Sequence, residues 1–93
     1  MRTLKEIKVE VETLTKMKPN VRMTSVFGDN HHDSIDAQIR VLDEQLTEDE
    51  VYEVADDEGW AENVKDCALE AVQWLEGDVE EAPSTDWQSL LVN

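Results

Sequence analysis

The sequence predicts an all-α fold, a compact bundle of three to four helices closed by a short C-terminal helical turn. Three observations carry this. Apolar residues recur at steps of three and four in several separate stretches, which is the period of one helix face. Two Thr-x-x-Glu boxes, Thr3 to Glu6 and Thr47 to Glu50, stand where helices should begin. Apolar and polar residues alternate as a strand requires only at Ile7, Val9 and Val11, and that stretch lies inside a longer helical stripe.

The first helix is expected over residues 3–18, with Thr3 as its cap and Leu4, Ile7, Val11 and Leu14 as its buried stripe; Pro19-Asn20 ends it. Residues 19–30 read as an ordered loop whose Val21, Met23 and Val26 or Phe27 plug the core, because one short strand without a partner gains little. Gly28-Asp29-Asn30 is a turn leading into the second helix, residues 31–46, capped by Asp29 or Asn30. There Ile35, Ile39, Leu42 and Leu46 form a narrow seam suited to antiparallel pairing with the first helix.

Thr47 caps a third helix over residues 48–57, with Glu48, Asp49 and Glu50 where the helix dipole favours acids. Asp56-Asp57-Glu58 sits at the opposite, unfavourable end, which assigns these acids to capping the next element. That element, residues 60–76, has the widest apolar arc (Ala61, Val64, Ala68, Ala71 and Leu75, flanked by Trp60, Cys67, Val72 and Trp74) and is expected to be central, with Gly77 just past its end. After a charged linker, Ser84 or Thr85 caps a last helical turn, residues 85–91, that docks Trp87.

A chain of 93 residues is one domain, 1–93. Its charge is divided. Residues 1–28 carry six basic and three acidic side chains, whereas residues 29–93 carry two basic and twenty acidic ones, so the net charge of -15 belongs to the second part. Such a field repels phosphate and anionic lipid, so neither direct nucleic-acid binding nor a membrane surface is expected. No apolar run approaches the roughly 20 residues of a membrane span. The lone Cys67 forms no internal disulfide and no secretory leader pattern precedes it, so a reducing, cytoplasmic setting is expected.

Candidate chemistry is sparse. His31 and His32 are adjacent, about 100° apart on a helix, and cannot face one ion together, so they read as part of a polar helix start. An EF-hand loop with Gly59 at its sixth position puts Val54 first and Lys65 twelfth, where acids are required, and fails. Cys67 reads as a buried structural thiol, its pKa raised by Asp66 and Glu70. No nucleotide-binding, hydrolase or metalloprotease motif is present. No enzyme, cofactor or metal is expected. The three tryptophans read as core and rim residues, with Trp87 also the candidate aromatic anchor for a partner pocket.

The remaining signal is the acid run Glu44, Glu48, Asp49, Glu50, Glu53, Asp56, Asp57, Glu58, Glu62 and Asp66 across two helices. Duplex DNA presents one charge per about 1.7 Å, and acids on successive exposed helical turns approach that density. The expected partner is a basic protein, with mimicry of nucleic acid as the mechanism. The alternative is a helical interaction or self-association module, including a homodimer, whose acidity only solubilises.

The Lys-rich first helix, Ser34-Ile35-Asp36-Ala37-Gln38-Ile39, Glu50-Val51-Tyr52, Trp74-Leu75-Glu76-Gly77 and Ala82-Pro83-Ser84 with Trp87 together resemble small uncharacterised acidic helical proteins carried by bacteriophages and plasmids. The resemblance covers most of the chain. It implies a mobile-element setting, in which small acidic inhibitors of host nucleases are common, and carries over no functional residue.

Overall fold

Thr3 and Thr47 each open a helix as their spacing predicts. The computed structural model describes residues 1–92, and α1 runs Leu4–Met17, α2 His31–Glu44, α3 Glu48–Glu58 and α4 Glu62–Glu76. At both boxes the threonine Oγ1 accepts the N–H of the glutamate (3.2 Å for Glu6, 3.3 Å for Glu50), and that glutamate accepts the N–H of the threonine (3.1 and 2.9 Å). These backbone and side-chain bonds hold the Glu6 and Glu50 carboxyls below the usual range. Asn30 caps α2, its Oδ1 accepting the Asp33 N–H at 3.0 Å.

The start of α4 departs from expectation. Asp56, Asp57 and Glu58 are the last turn of α3 and cap nothing; Ala61 occupies the N-cap of α4 without a side-chain bond, and Trp60 lies outside the helix. The reason is Gly59, whose φ of 66° lets α3 close with a left-handed residue and turn at once. Gln45, at φ 50°, ends α2 two residues early in the same way, and Leu46 is buried just beyond it.

The pairing of α1 and α2 is antiparallel: Lys18 Nζ meets Asp36 at 2.8 Å near one end, while Leu4 and Lys8 border Leu42 and Gln45 near the other. In contrast, α2 and α4 run parallel, Asn63 donating to Ser34 and Cys67 accepting from Gln38 at a constant sequence offset. The crossover between them is α3, antiparallel to α4, with Lys65 over the Tyr52 ring at 5.5 Å. Leu14, Ile35, Leu42, Val51, Ala68 and Leu75 meet in the fully buried centre.

Two predicted stripes shift. On α1 the buried face is Ile7, Glu10, Leu14 and Met17, and Leu4 is 70% exposed. On α2, Ser34, Ile35, Ala37, Gln38, Val41 and Leu42 are buried while Ile39 is only half-buried, because this helix packs on two neighbours rather than along one seam. The wide arc expected of α4 is present: Val64, Ala68, Ala71, Val72, Trp74 and Leu75 are all buried, although Ala61 is exposed. In the loop, Val21 alone is a core plug. It bridges Leu91 in antiparallel fashion, while Met23, Val26 and Phe27 face solvent.

The C-terminal turn is a 3₁₀ helix, Pro83–Leu90, longer than such helices usually sustain alone. Neither Ser84 nor Thr85 caps it. Its first turn is held by Glu10 of α1, whose Oε2 accepts the Ser84 N–H at 2.6 Å and whose Oε1 accepts the Ser84 hydroxyl at 3.1 Å. Its middle is held by Gln38 of α2. The Gln38 amide is fully buried; its Oε1 accepts the Trp87 Nε1–H at 2.8 Å, and its Nε2 donates to the Cys67 carbonyl at 3.1 Å and to Asp86 Oδ2 at 3.4 Å. Outside this contact, a proton shared with Asp86, partial burial and the nearby Asp66 charge push the Glu70 carboxyl up to about 8.

Replacing Gln38 by Leu keeps the volume and strands the buried Trp87 N–H, so unfolding in urea should show a loss of about 1–3 kcal/mol; no loss would mean that the amide holds nothing. A second outcome concerns pH. Glu70 binds its proton more tightly folded than unfolded, so its contribution favours folding at low pH and is lost as pH rises from the ordinary 4.5 through about 8. Glu10, raised by burial that outweighs its Ser84 bonds, acts in the same direction. The urea midpoint should fall between pH 4.5 and 8.5, and Glu70→Gln should shrink that fall; an unchanged difference would remove Glu70 as its source.

Candidate functional site

The α3 helix buries only a narrow strip, Val51 and Ala55 with Val54 half-buried, so a helical period of 100° per residue leaves its remaining circumference outside. Asp49, Glu53, Asp56 and Asp57 fall opposite that strip, on successive turns, and all are exposed. Among the described residues none of the four makes a salt bridge. From Asp49 to Asp57 the axis advances about 12 Å in steps of about 6, 4.5 and 1.5 Å, so this ridge on the outward face of α3 carries four charges at a mean axial spacing of about 4 Å.

The other six predicted acids are exposed but differently engaged. Glu44 and Glu58 share Arg40, at 2.9 and 3.4 Å, and Glu62 meets Lys65 at 3.2 Å. Glu50 belongs to the capping box of α3. Glu48 lies at the helix start beside Glu76 and Asp78, and Asp66 lies on α4, where its charge acts on Glu70 rather than joining the ridge. The basic residues of the first part do not cancel the ridge: Lys18 pairs with Asp36, Arg2 with Glu6, and Lys5, Lys8, Lys16 and Arg22 make no salt bridge among the described residues.

Trp87, the candidate aromatic anchor, is buried rather than presented at the surface. It is 4% exposed, bonded to Gln38, and its ring lies 5.5 Å from the His31 ring at a tilt of 55°. Trp74 is buried under the Arg2 guanidinium, which lies 4.9 Å from its ring and donates to its carbonyl. Trp60 is half-buried and lines a cleft of about 610 Å³ between the start of α2 and the α3–α4 turn, with Asp29, Asp33, Asp36, Arg40 and Glu58 around it.

His31 and His32 point back to the preceding loop, His31 Nδ1 lying 3.0 Å from the Arg22 carbonyl and His32 Nε2 2.9 Å from that of Val21. They fasten the loop to α2. Cys67 is half-buried, and desolvation first, followed by the charges of Glu70, Asp86 and Asp66, pushes its thiol up to about 11 against the opposing Ser34 bond. A thiol so placed is a poor nucleophile.

Sequence reasoning missed the two polar anchors, Glu10 and Gln38. A signal existed: each sits at helical spacing within an apolar stripe, Ile7-Glu10-Leu14 and Ile35-Gln38-Leu42, where a polar residue must find a buried partner. It also missed the exposure of Val26 and Phe27, since apolar character alone reads as core. Comparison of this chain with protein-family models, with curated proteins and with solved structures finds no match.

Proposed function

We propose that this chain is an acidic protein-binding protein that imitates the phosphate array of nucleic acid, occupying the basic groove of a DNA- or RNA-handling protein in a mobile-element setting. The observation that carries the reading is the α3 ridge: Asp49, Glu53, Asp56 and Asp57 aligned, exposed and without salt bridges among the described residues. Its charges are unevenly spaced, with a mean axial spacing of about 4 Å, more than twice the 1.7 Å of duplex DNA and nearer the 3.4 Å of one strand. Asp56 and Asp57 stand in the last turn of α3, where the helix dipole makes acids costly; Arg40 reaches Glu58 there, but neither aspartate has a salt bridge among the described residues. A ridge that destabilises its own helix is more readily understood as serving an external cation than as serving the fold.

A second reading, a helical interaction or self-association module, draws on the groove of about 510 Å³ between α1 and α2, bordered by Leu4, Ile7, Val11 and Leu42 with Lys5 and Lys8 at its rim. The two readings part on the ridge. In the first, changing Asp49 and Asp56 to Asn with Glu53→Gln and Asp57→Asn removes binding; in the second it alters solubility alone.

Affinity capture from a bacterial lysate at low and high ionic strength, with and without those four changes, tests this. Basic nucleic-acid-binding proteins should be enriched at low salt, lost at high salt, and lost with the neutralised ridge, while that variant melts no lower than the parent because self-repulsion is relieved. Equal capture by the neutralised variant would refute the mimicry.

A further inference from the structure

We propose that the Val26–Phe27 tip, with the carboxylates beside it, is a docking point for a basic amphipathic segment of a partner protein. This rests on the reading of the chain as an acidic binder of a basic partner and adds an apolar contact away from the α3 ridge. Val26 and Phe27, the latter the single phenylalanine of the chain, are 87% and 90% exposed and adjacent.

The loop that carries them is tightly bonded. Ser25 Oγ accepts the N–H groups of Phe27 at 3.1 Å and Asp29 at 3.0 Å, and the Ser25 N–H donates to the Asp29 carbonyl at 2.9 Å. Gly28, at φ 88°, takes the left-handed conformation that the turn requires, and its N–H donates to the Ser25 carbonyl at 3.0 Å. The base is tied to α2 through the His31 N–H, 2.7 Å from the Met23 carbonyl, and through both histidine rings. A loop whose backbone is held in one geometry loses little backbone freedom on binding, which favours the pair it carries as an anchor.

Charge selects the occupant. Asp29 adjoins the tip and Asp33 lies one turn into α2; both border the cleft lined by Trp60, and neither makes a salt bridge among the described residues. Arg40, which borders the same cleft, is engaged by Glu44 and Glu58, and Arg22 at the base of the loop pairs with neither carboxylate among the described residues. A segment whose apolar side chains cover Phe27 brings its lysines or arginines to these carboxylates. A second copy meeting the tip symmetrically would oppose the same carboxylates to themselves, and an anionic membrane would be repelled.

The test uses the full chain and two synthetic peptides of equal charge and length, one alternating lysine with leucine and one lysine with serine, measured by titration calorimetry. The leucine peptide should bind about tenfold more tightly, and Phe27→Ser should abolish that advantage while leaving the circular dichroism spectrum and serine-peptide affinity unchanged. Asp29→Asn with Asp33→Asn should weaken both peptides. An advantage that survives Phe27→Ser overturns the proposal, as does loss of a dimer on Phe27→Ser, or equal tip-dependent binding to uncharged phosphatidylcholine vesicles. The ridge is judged separately, by whether its four neutralising changes weaken the serine peptide.

Discussion

The buried amide of Gln38 is the constraint on which the arrangement of the molecule depends. A polar side chain with no solvent access must find partners for both its donor and its acceptor, and here they come from α4 and from the C-terminal 3₁₀ helix at once. Only one relative placement of α2, α4 and the 3₁₀ helix satisfies all of them. A fully satisfied network of this kind selects a single packing among the many that apolar contact alone would tolerate. Glu10 repeats the device from the other side, so the last segment is positioned by polar anchors on two helices and needs little helical propensity of its own.

With that framework inside, the acids are free to serve the surface. The α3 helix is joined to the body by a strip of small and β-branched residues, and it carries its charge outward with almost no internal compensation. The same molecule buries the Glu10 and Gln38 contacts and leaves the Asp49 to Asp57 ridge to solvent. Core specificity and surface charge are therefore separable, and substitution of the ridge does not touch the contacts that define the fold.

The helices were legible because their signals are local. Thr3 with Glu6, Thr47 with Glu50, and the wide arc of α4 each lie within a few residues, and each appears in place. What was not legible depends on partners far along the chain. Glu10 caps a segment 74 residues away, and Val21 is buried because Leu91 returns beside it. Of the candidate site, the outward acids of α3 followed from helical period alone; the Arg40–Glu44 and Glu62–Lys65 pairs lie at helical spacing and were legible too, whereas the diversion of Glu58 to Arg40 required the turn at Gly59. Trp87 was ambiguous for the same reason: its burial depends on Gln38, which periodicity counted only as a polar residue.

The bond between Glu10 and Ser84 also bears on the order in which the polypeptide acquires its shape during synthesis. The α1–α2 hairpin involves neighbours in sequence and can associate early, but a carboxylate on its inner face then stays without its donors, and Gln38 without its indole. Both wait for residues 83 to 90, which follow them in synthesis. Until residues 83 to 90 arrive, the inner face of the α1–α2 hairpin therefore stays open at Glu10 and Gln38.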